Sequence, residues 1–300
     1  MDIERADLNT LVVFDALMQH QSVTRAGQAL GLSQPAMSAA LAKLRGQLGD
    51  PLFVRTGRGM RPTPRALQLA DPVRRVLETV RTEILQRPAF DPALGRRAFT
   101  IITPDIGEVV FLPKMLTHVA RHAPGVTFRS VAIPSPGARE ALETGAADLA
   151  VGYFPDLVTT GFYQQRLFTN SFVCIVRADH PHARRQLGLS DFLSAGHALV
   201  RPAGRTHLFE QFLGQQGIKL DVRVQLSHFT SLLTIIGATN LIATVPLDIG
   251  HVFARLANVR LVKPPIQPPP FDVKQHWHER VHADAANVWL RRTIRHLFHD

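Results

Sequence analysis

Apolar residues recur along the first fifty positions with helical spacing. Leu8, Leu11, Val12, Phe14, Leu17 and Met18 form one stripe and predict an amphipathic opening helix. A second helix is predicted from about Ser22 to Leu30. Gly31 then stands where a helix C-terminus takes a left-handed residue, and Ser33 follows as an N-cap. Pro35 is tolerated there because first-turn N–H groups have no intrahelical partner, so the next helix spans about Gln34 to Leu48. On a wheel of about 100° per residue, Met37, Leu41, Leu44 and Leu48 fall within an arc of roughly 60°, a narrow buried stripe. Gln34, Pro35, Ser38 and Ala42 lie to one side of it, polar or small and free to meet a partner. Two short helices joined by a glycine-containing turn, the second polar on its free face, make a helix-turn-helix pattern.

The segment DPLFVRTGRGMRPTPR predicts a strand, a glycine-punctuated turn and a second extended arm, a basic hairpin or wing. A helix then follows from about Thr63 to Arg87. Its Leu69, Val73, Val76, Val80 and Ile84 have the three-four spacing that suits pairing with another helix. Pro72 interrupts the pattern: either the helix kinks there, or a new one starts with Asp71 as cap. From Arg97 onward strand-like and helical runs alternate, which predicts an open sheet built from βαβ units. AFTIIT, VTFRSVAI, DLAVG, FVCIV, HALV, VRVQL, LIAT and VRLV are the strand runs. After the extended stretch Pro264 to Pro270 come a strand at FDVKQHWH and a closing helix from about Asp284 to His299.

Charge changes this picture more than composition does. The 300 residues allow about two domains, and 45% hydrophobic with 19% charged residues is ordinary globular usage. From Arg25 to Arg65, however, seven bases face one acid, Asp50, whereas residues 98–300 hold 20 bases and 15 acids. The positive field is concentrated where the helix-turn-helix and wing are predicted, which points to a polyanionic partner. MDIERADLNT carries four acids or bases before any apolar run, unlike a secretory signal, and no apolar stretch approaches the roughly 20 residues of a membrane span. The protein is therefore expected in the cytoplasm, with no membrane partner.

The stretch SVTRAGQALGLSQPAMSAALAKLRGQLGDPLFVR, from Ser22 to Arg55, resembles the N-terminal signature of LysR-type transcriptional regulators. Ala26, Leu30, the Leu32-Ser33-Gln34-Pro35-Ala36 entry, Ser38, Leu44, Leu48-Gly49 and Leu52-Phe53-Arg55 stand in that family's order. Further along, DIGEVVFLP, GAADLAVG and RLFTNSFVCIVRADHP are similar to its effector domain. VRTGRGMRPTPRA and NLIATVP resemble the branch of aromatic-degradation and nodulation regulators. The resemblance implies an α/β protein with an α-rich N-terminal winged helix-turn-helix and a C-terminal two-lobed sensor resembling periplasmic binding proteins. It implies a DNA-binding domain over 1–63, a dimerisation helix over 64–90 and an effector-binding domain over 91–300. Within that last domain lobe I would take about 97–166 and 267–300, and lobe II about 167–266.

DNA recognition needs phosphate contacts that position the protein and base-edge contacts that specify sequence. Gln34 can bond an adenine bidentately, Ser38 one turn on can donate or accept, and Pro35 offers apolar contact to a thymine methyl. Arg45, Arg55, Thr56, Arg58 and Arg61 are expected as further DNA contacts. By resemblance, an effector sits between the two sensor lobes, where strand ends and helix N-termini converge. The first strand of the sensor ends there at Thr103-Pro104-Asp105; Asn170, His207, His228 and His276 match the pocket wall of the aromatic-responsive branch, Phe111 is a candidate ring contact, and an aromatic acid is one candidate ligand. Pro104 occupies a place where those relatives carry a hydroxyl residue, which removes one anion contact. The family also implies a homotetramer built from dimers on an inverted-repeat promoter site, and contact with RNA polymerase if the protein is an activator.

Other chemistries find little support. Cys174 is the single cysteine, lies in an apolar strand run and is expected to be a buried structural thiol. His276 and His278 share one strand face with His282 nearby, but no carboxylate or cysteine at ligand spacing joins them, so no metal is expected. No G-x-S-x-G elbow, phosphate loop or paired-carboxylate context is present. Neither a cofactor nor an enzymatic activity is expected.

Overall fold

The computed structural model describes residues 7–57, 59–85, 89–133, 135–181, 187–202 and 208–299. It divides into two compact units, Met1–Pro88 and Ala89–Asp300. In the first, α1 (Asn9–His20), α2 (Val23–Leu30) and α3 (Gln34–Leu48) precede a hairpin of β1 (Phe53–Thr56) and β2 (Gly59–Pro62), and α4 (Pro64–Thr79) closes the unit. Local chemistry sets these boundaries. Ser22, Ser33 and Thr63 each accept a hydrogen bond from the backbone N–H three residues on, capping α2, α3 and α4. Gly31 ends α2 at φ +64°, a conformation that costs an L side chain but not glycine. Phe14, Leu17, Ala26, Met37, Leu44, Leu52 and Phe53 are buried as one core, with the Phe14 and Phe53 rings 5.6 Å apart.

α4 runs unbroken through Pro72, so Asp71 does not open a new helix; its carboxylate instead meets Arg74 at 3.3 Å. Pro72 has no N–H to offer the Gln68 carbonyl, and it is exposed, so water can serve the freed acceptor. A π-helical turn, Val80–Leu85, follows. The apolar stripe expected to pair with another helix is divided. Val73 is buried in the core of its own unit and Leu69 packs against it, whereas Val76 (46% exposed) and Ile84 (69%) remain uncovered.

The second unit holds two α/β lobes. In lobe I, β3 (Arg97–Ile102), β4 (Val126–Val131), β5 (Leu149–Gly152), β6 (Phe162–Asn170) and β12 (Phe271–His278) form a sheet in the order β4-β3-β5-β12-β6. β3 pairs parallel to β4 and β5, and β12 antiparallel to β5 and β6. Three helices belong to this lobe, α5 (Asp105–His122), α6 (Ser135–Thr144) and α11 (Ala285–Phe298). In lobe II, β7 (Phe172–Arg177) lies between β10 (Ala243–Pro246) and β11 (Val259–Val262), and β8 (Gly196–Val200) pairs parallel to β9 (Asp221–Leu226). A bridge from His197 to Ile242 joins these two strand groups. Its helices are α7 (Leu189–Ser194), α8 (Leu208–Gln215), α9 (Leu232–Ala238) and α10 (Leu247–Leu256).

The chain passes from lobe I to lobe II at Asn170–Ser171 and returns between Val262 and Phe271. The first crossing lies later than the expected boundary at 166/167, because β6 continues to Asn170 and Leu167 is buried in the lobe I core. β6 was not among the predicted strands. Cys174 lies in β7, fully buried, 3.4 Å from Thr244 Oγ1. Burial pushes its thiol up to about 12, so it stays protonated and unreactive at neutral pH.

Candidate functional site

α3 presents its first turn to solvent. Gln34, Pro35 and Ser38 are all exposed, whereas Met37, Leu41 and Leu44 on the other side are buried. α2 and the turn before α3 approach closely. A Cβ on Gly27 would stand 2.9 Å from the Leu32 carbonyl oxygen and 3.0 Å from the Met37 side chain, so only glycine allows this spacing without a shift. The wing is tied to the helices from two directions: Met60 N donates to Gln21 O at 2.9 Å, and Asp50 Oδ1 accepts from Leu52 N (2.7 Å) and Thr63 Oγ1 (2.8 Å).

The hairpin register pairs Arg55 with Met60 and Val54 with Arg61. Paired residues share a face and neighbours alternate, so the exposed Arg55 and Arg61 flank the ribbon on opposite faces. Thr56, also exposed, donates its hydroxyl to Gly59 O at 3.0 Å across the turn. Arg45, expected as a DNA contact, is bonded within its own unit. Its Nε donates to Pro51 O at 2.7 Å and its terminal nitrogen to Phe53 O at 2.6 Å, so the guanidinium anchors the wing to the end of α3. Arg45→Ala leaves both carbonyls without this donor and is expected to cost about 1–2 kcal/mol of stability in the first unit. A chemical-denaturation midpoint unchanged from wild type would refute that role. Arg58 lies outside the described residues.

In the second unit a cavity of about 290 Å³ opens between the lobes. Thr103 and Pro104, at the end of β3, and Asp105, at the start of α5, line it, as do Phe111, Asn170 and His228. Phe111 is held edge-on against Phe298 with centroids 5.0 Å apart. Thr103 is 2% exposed, and its hydroxyl has no hydrogen-bond partner among the described residues. Gly107, one turn into α5, makes room for that hydroxyl, which a Cβ there would overlap. Asp105 Oδ2 accepts from Thr230 N (3.0 Å) and Thr230 Oγ1 (3.3 Å), linking lobe I to lobe II across the cavity mouth. Asn170 is 6% exposed; its side-chain carbonyl accepts from Ser171 N at 2.9 Å and its amide donates to Asp248. Burial raises the Asp248 carboxyl above its ordinary value, partly opposed by that bond.

His276 does not reach the cavity. Gln275 donates to Arg291 O beneath α11, so the next residue on β12 points to the other sheet face. There His276 is 1% exposed, its ring edge-on to Phe154 at 6.0 Å. Phe154 itself lines the cavity, so His276 stands one ring behind the wall. His282 stacks on Tyr163 at 4.0 Å and accepts from Trp277 Nε1 at 3.2 Å, on the face opposite His276. His207 lies outside the described residues.

Residues 8–67 match the model of the bacterial regulatory helix-turn-helix proteins of the lysR family, and residues 93–298 match the LysR substrate binding domain. The chain belongs to the LysR family. The HTH-type transcriptional activator NahR of Pseudomonas putida is 39% identical over the whole of both chains. The HTH-type transcriptional activator NagR of a Ralstonia species is 38% identical over 99% of both. Among solved structures, a probable transcriptional regulator of Pseudomonas aeruginosa aligns with a TM-score of 0.64, at 31% identity, over 97% of both chains.

A LysR-type protein is a DNA-binding transcriptional regulator with an effector-binding domain, not an enzyme, and both parts are present here in sequence and in fold. Sequence reasoning missed Asp248 and Thr230 in this LysR-type effector domain. Asp248 was within reach, since it follows the NLIATVP motif at the start of a helix leaving a strand end, the same logic that singled out Asp105. Thr230 carried no signal, because its importance rests on a partner 125 residues away.

Proposed function

We propose that this LysR-type regulator reads an inverted-repeat promoter site through Gln34 and Ser38, and that a small aromatic effector held between its sensor lobes sets that activity. The exposed polar front of α3 carries this reading: Gln34, Pro35 and Ser38 are accessible on a helix whose opposite stripe is packed. Pro35 supplies the apolar contact to a thymine methyl, and Arg55, Thr56, Arg58 and Arg61 contact the DNA backbone or minor groove. Thr103, Pro104, Asp105, Phe111, Asn170 and His228 form the effector wall, with His207 expected beside them. The uncovered Val76 and Ile84 provide apolar area for pairing α4 helices between subunits, and two such dimers make the tetramer. As a regulator of promoter DNA the protein works in the cytoplasm, and as an activator it would contact RNA polymerase. An effector shifts the balance of lobe arrangements only by its differential affinity for them, and the Asp105–Thr230 link is a contact that such a shift would break or keep.

Footprinting on fragments around the chromosomal locus, at physiological salt and with a panel of small aromatics, tests the whole reading. A protected inverted repeat whose pattern changes with one compound is the expected result; protection no better than on random DNA would overturn it. Arg61→Ala is expected to weaken binding equally on all sequences and to lower the salt slope by about one counterion. A loss confined to the specific site would show that Arg61 reads bases instead.

A further inference from the structure

The groups that line the cavity among the described residues bear on the charge of the effector: Asp105, Asp248 and His228 are the acidic and basic side chains there. Two helix N-termini face it, those of α5 and α10, and each already carries a carboxylate in its first turn, Asp105 and Asp248. The partial positive charge that makes a helix N-terminus attract anions is therefore compensated by the protein's own groups. Pro104, at the N-cap of α5, has no N–H to give. A ligand carboxylate placed here would meet both Asp105 and Asp248 in a half-enclosed apolar cleft, where like charges repel more strongly than in water. A hydroxyl on the ligand meets the opposite situation, because carboxylate oxygens accept hydrogen bonds and those to ionised acceptors are the strong ones.

The remaining walls fix the rest of the molecule. Phe111, Phe154 and Phe229 line the cavity with aliphatic Ile106 and Val110, a surface suited to ring faces and edges. Its volume of about 290 Å³ is nearly twice the roughly 150 Å³ of an apolar cavity that admits benzene, which leaves room for two fused rings or one ring with a substituent. Thr103 also lines the cavity, but its hydroxyl is buried against Gly107 and not open to this space.

We propose that the effector of this regulator is an uncharged hydroxylated aromatic of one or two rings, its hydroxyl donating to Asp248 or Asp105, and not an aromatic acid. The proposal rests on the cleft being the effector site. The acid expected from sequence keeps its ring but loses its carboxylate.

Isothermal titration of the full-length protein at pH 7.5 with 2-naphthol and with 2-naphthoate, which share a ring system and differ in charge, tests it. The wild-type protein alone decides the class: 2-naphthol is expected to bind at least tenfold more tightly. In Asp248→Asn the preference is expected to shrink at least threefold, because one repelling charge is gone. Ser227→Trp, a substitution at an exposed residue of the cavity wall, is expected to abolish binding of both compounds by filling the cleft. Tighter binding of 2-naphthoate, lost in Ser227→Trp, would overturn the class while leaving the cleft as effector site. Binding untouched by Ser227→Trp, or no binding of either compound, would overturn the cleft reading and the proposal with it.

Discussion

Replacing Gln34 by alanine is expected to lower affinity for the protected inverted repeat by about 10–100-fold while leaving affinity for random DNA within about twofold. A bidentate side-chain contact to a base edge discriminates by about 1–3 kcal/mol, and an amide at the start of a recognition helix is placed to make one with adenine. The fold is expected to survive. Gln34 is exposed, and the cap of α3 comes from Ser33, whose Oγ accepts from Ala36 N at 3.4 Å. Fluorescence anisotropy on matched specific and random duplexes at two salt concentrations measures both affinities. Equal losses on the two duplexes would mean that Gln34 only helps to hold the backbone, and base reading would pass to Ser38.

Acid is expected to destabilise the second unit through His276, by about 3 kcal/mol between pH 6.5 and 4. Burial, with a smaller contribution from the Lys274 charge, pushes the imidazole down from an ordinary 6.5 to about 4. Neither ring nitrogen has a partner among the described residues, so nothing in the fold compensates a proton there. The unfolded chain binds a proton near pH 6.5 and the native chain only near pH 4. Between those values the unfolded state holds more protons, and stability falls as pH falls; above pH 6.5 the penalty is absent. A shift of about 2.5 units at about 1.4 kcal/mol each sets the size.

His276→Leu removes this contribution and an unsatisfied polar ring together, so the variant is expected to match or exceed wild type at pH 7.5. Its advantage should grow by about 3 kcal/mol on going to pH 4. Both tryptophans, Trp277 and Trp289, lie in lobe I, so urea unfolding followed by intrinsic fluorescence reports on that lobe without interference from the first unit. Parallel pH profiles for the two proteins would show that His276 finds a partner the fold does not reveal.

Features encoded by neighbouring residues were legible from sequence. The bounds of α3 at Gln34 and Leu48 follow from Ser33 and Gly49, its cap residues. The wing followed from its glycine-punctuated basic run, and most strands of the second unit followed from continuous apolar runs. β6 escaped because FYQQRLFTN buries little beyond Leu167 and Asn170; an edge strand carries neither the alternation nor the apolar run by which strands are recognised. The apolar stripe of α4 was visible, but which of its members turn inward was not, since Val73 meets a core assembled from α1, α3 and the wing.

By itself the sequence determined the family, the order of elements, the helix caps and the basic field over the first unit, because each depends on residue type and on spacings of a few positions. Tertiary structure alone decided that Arg45 holds the wing, that Arg55 and Arg61 face opposite ways, that His276 lies behind Phe154, and that Asp105 and Asp248 share one cleft. These depend on strand register and on contacts between segments distant in the chain. A side chain's charge is written in the sequence, but whether it meets a carbonyl, a second carboxylate or an apolar wall is set only when those segments pack.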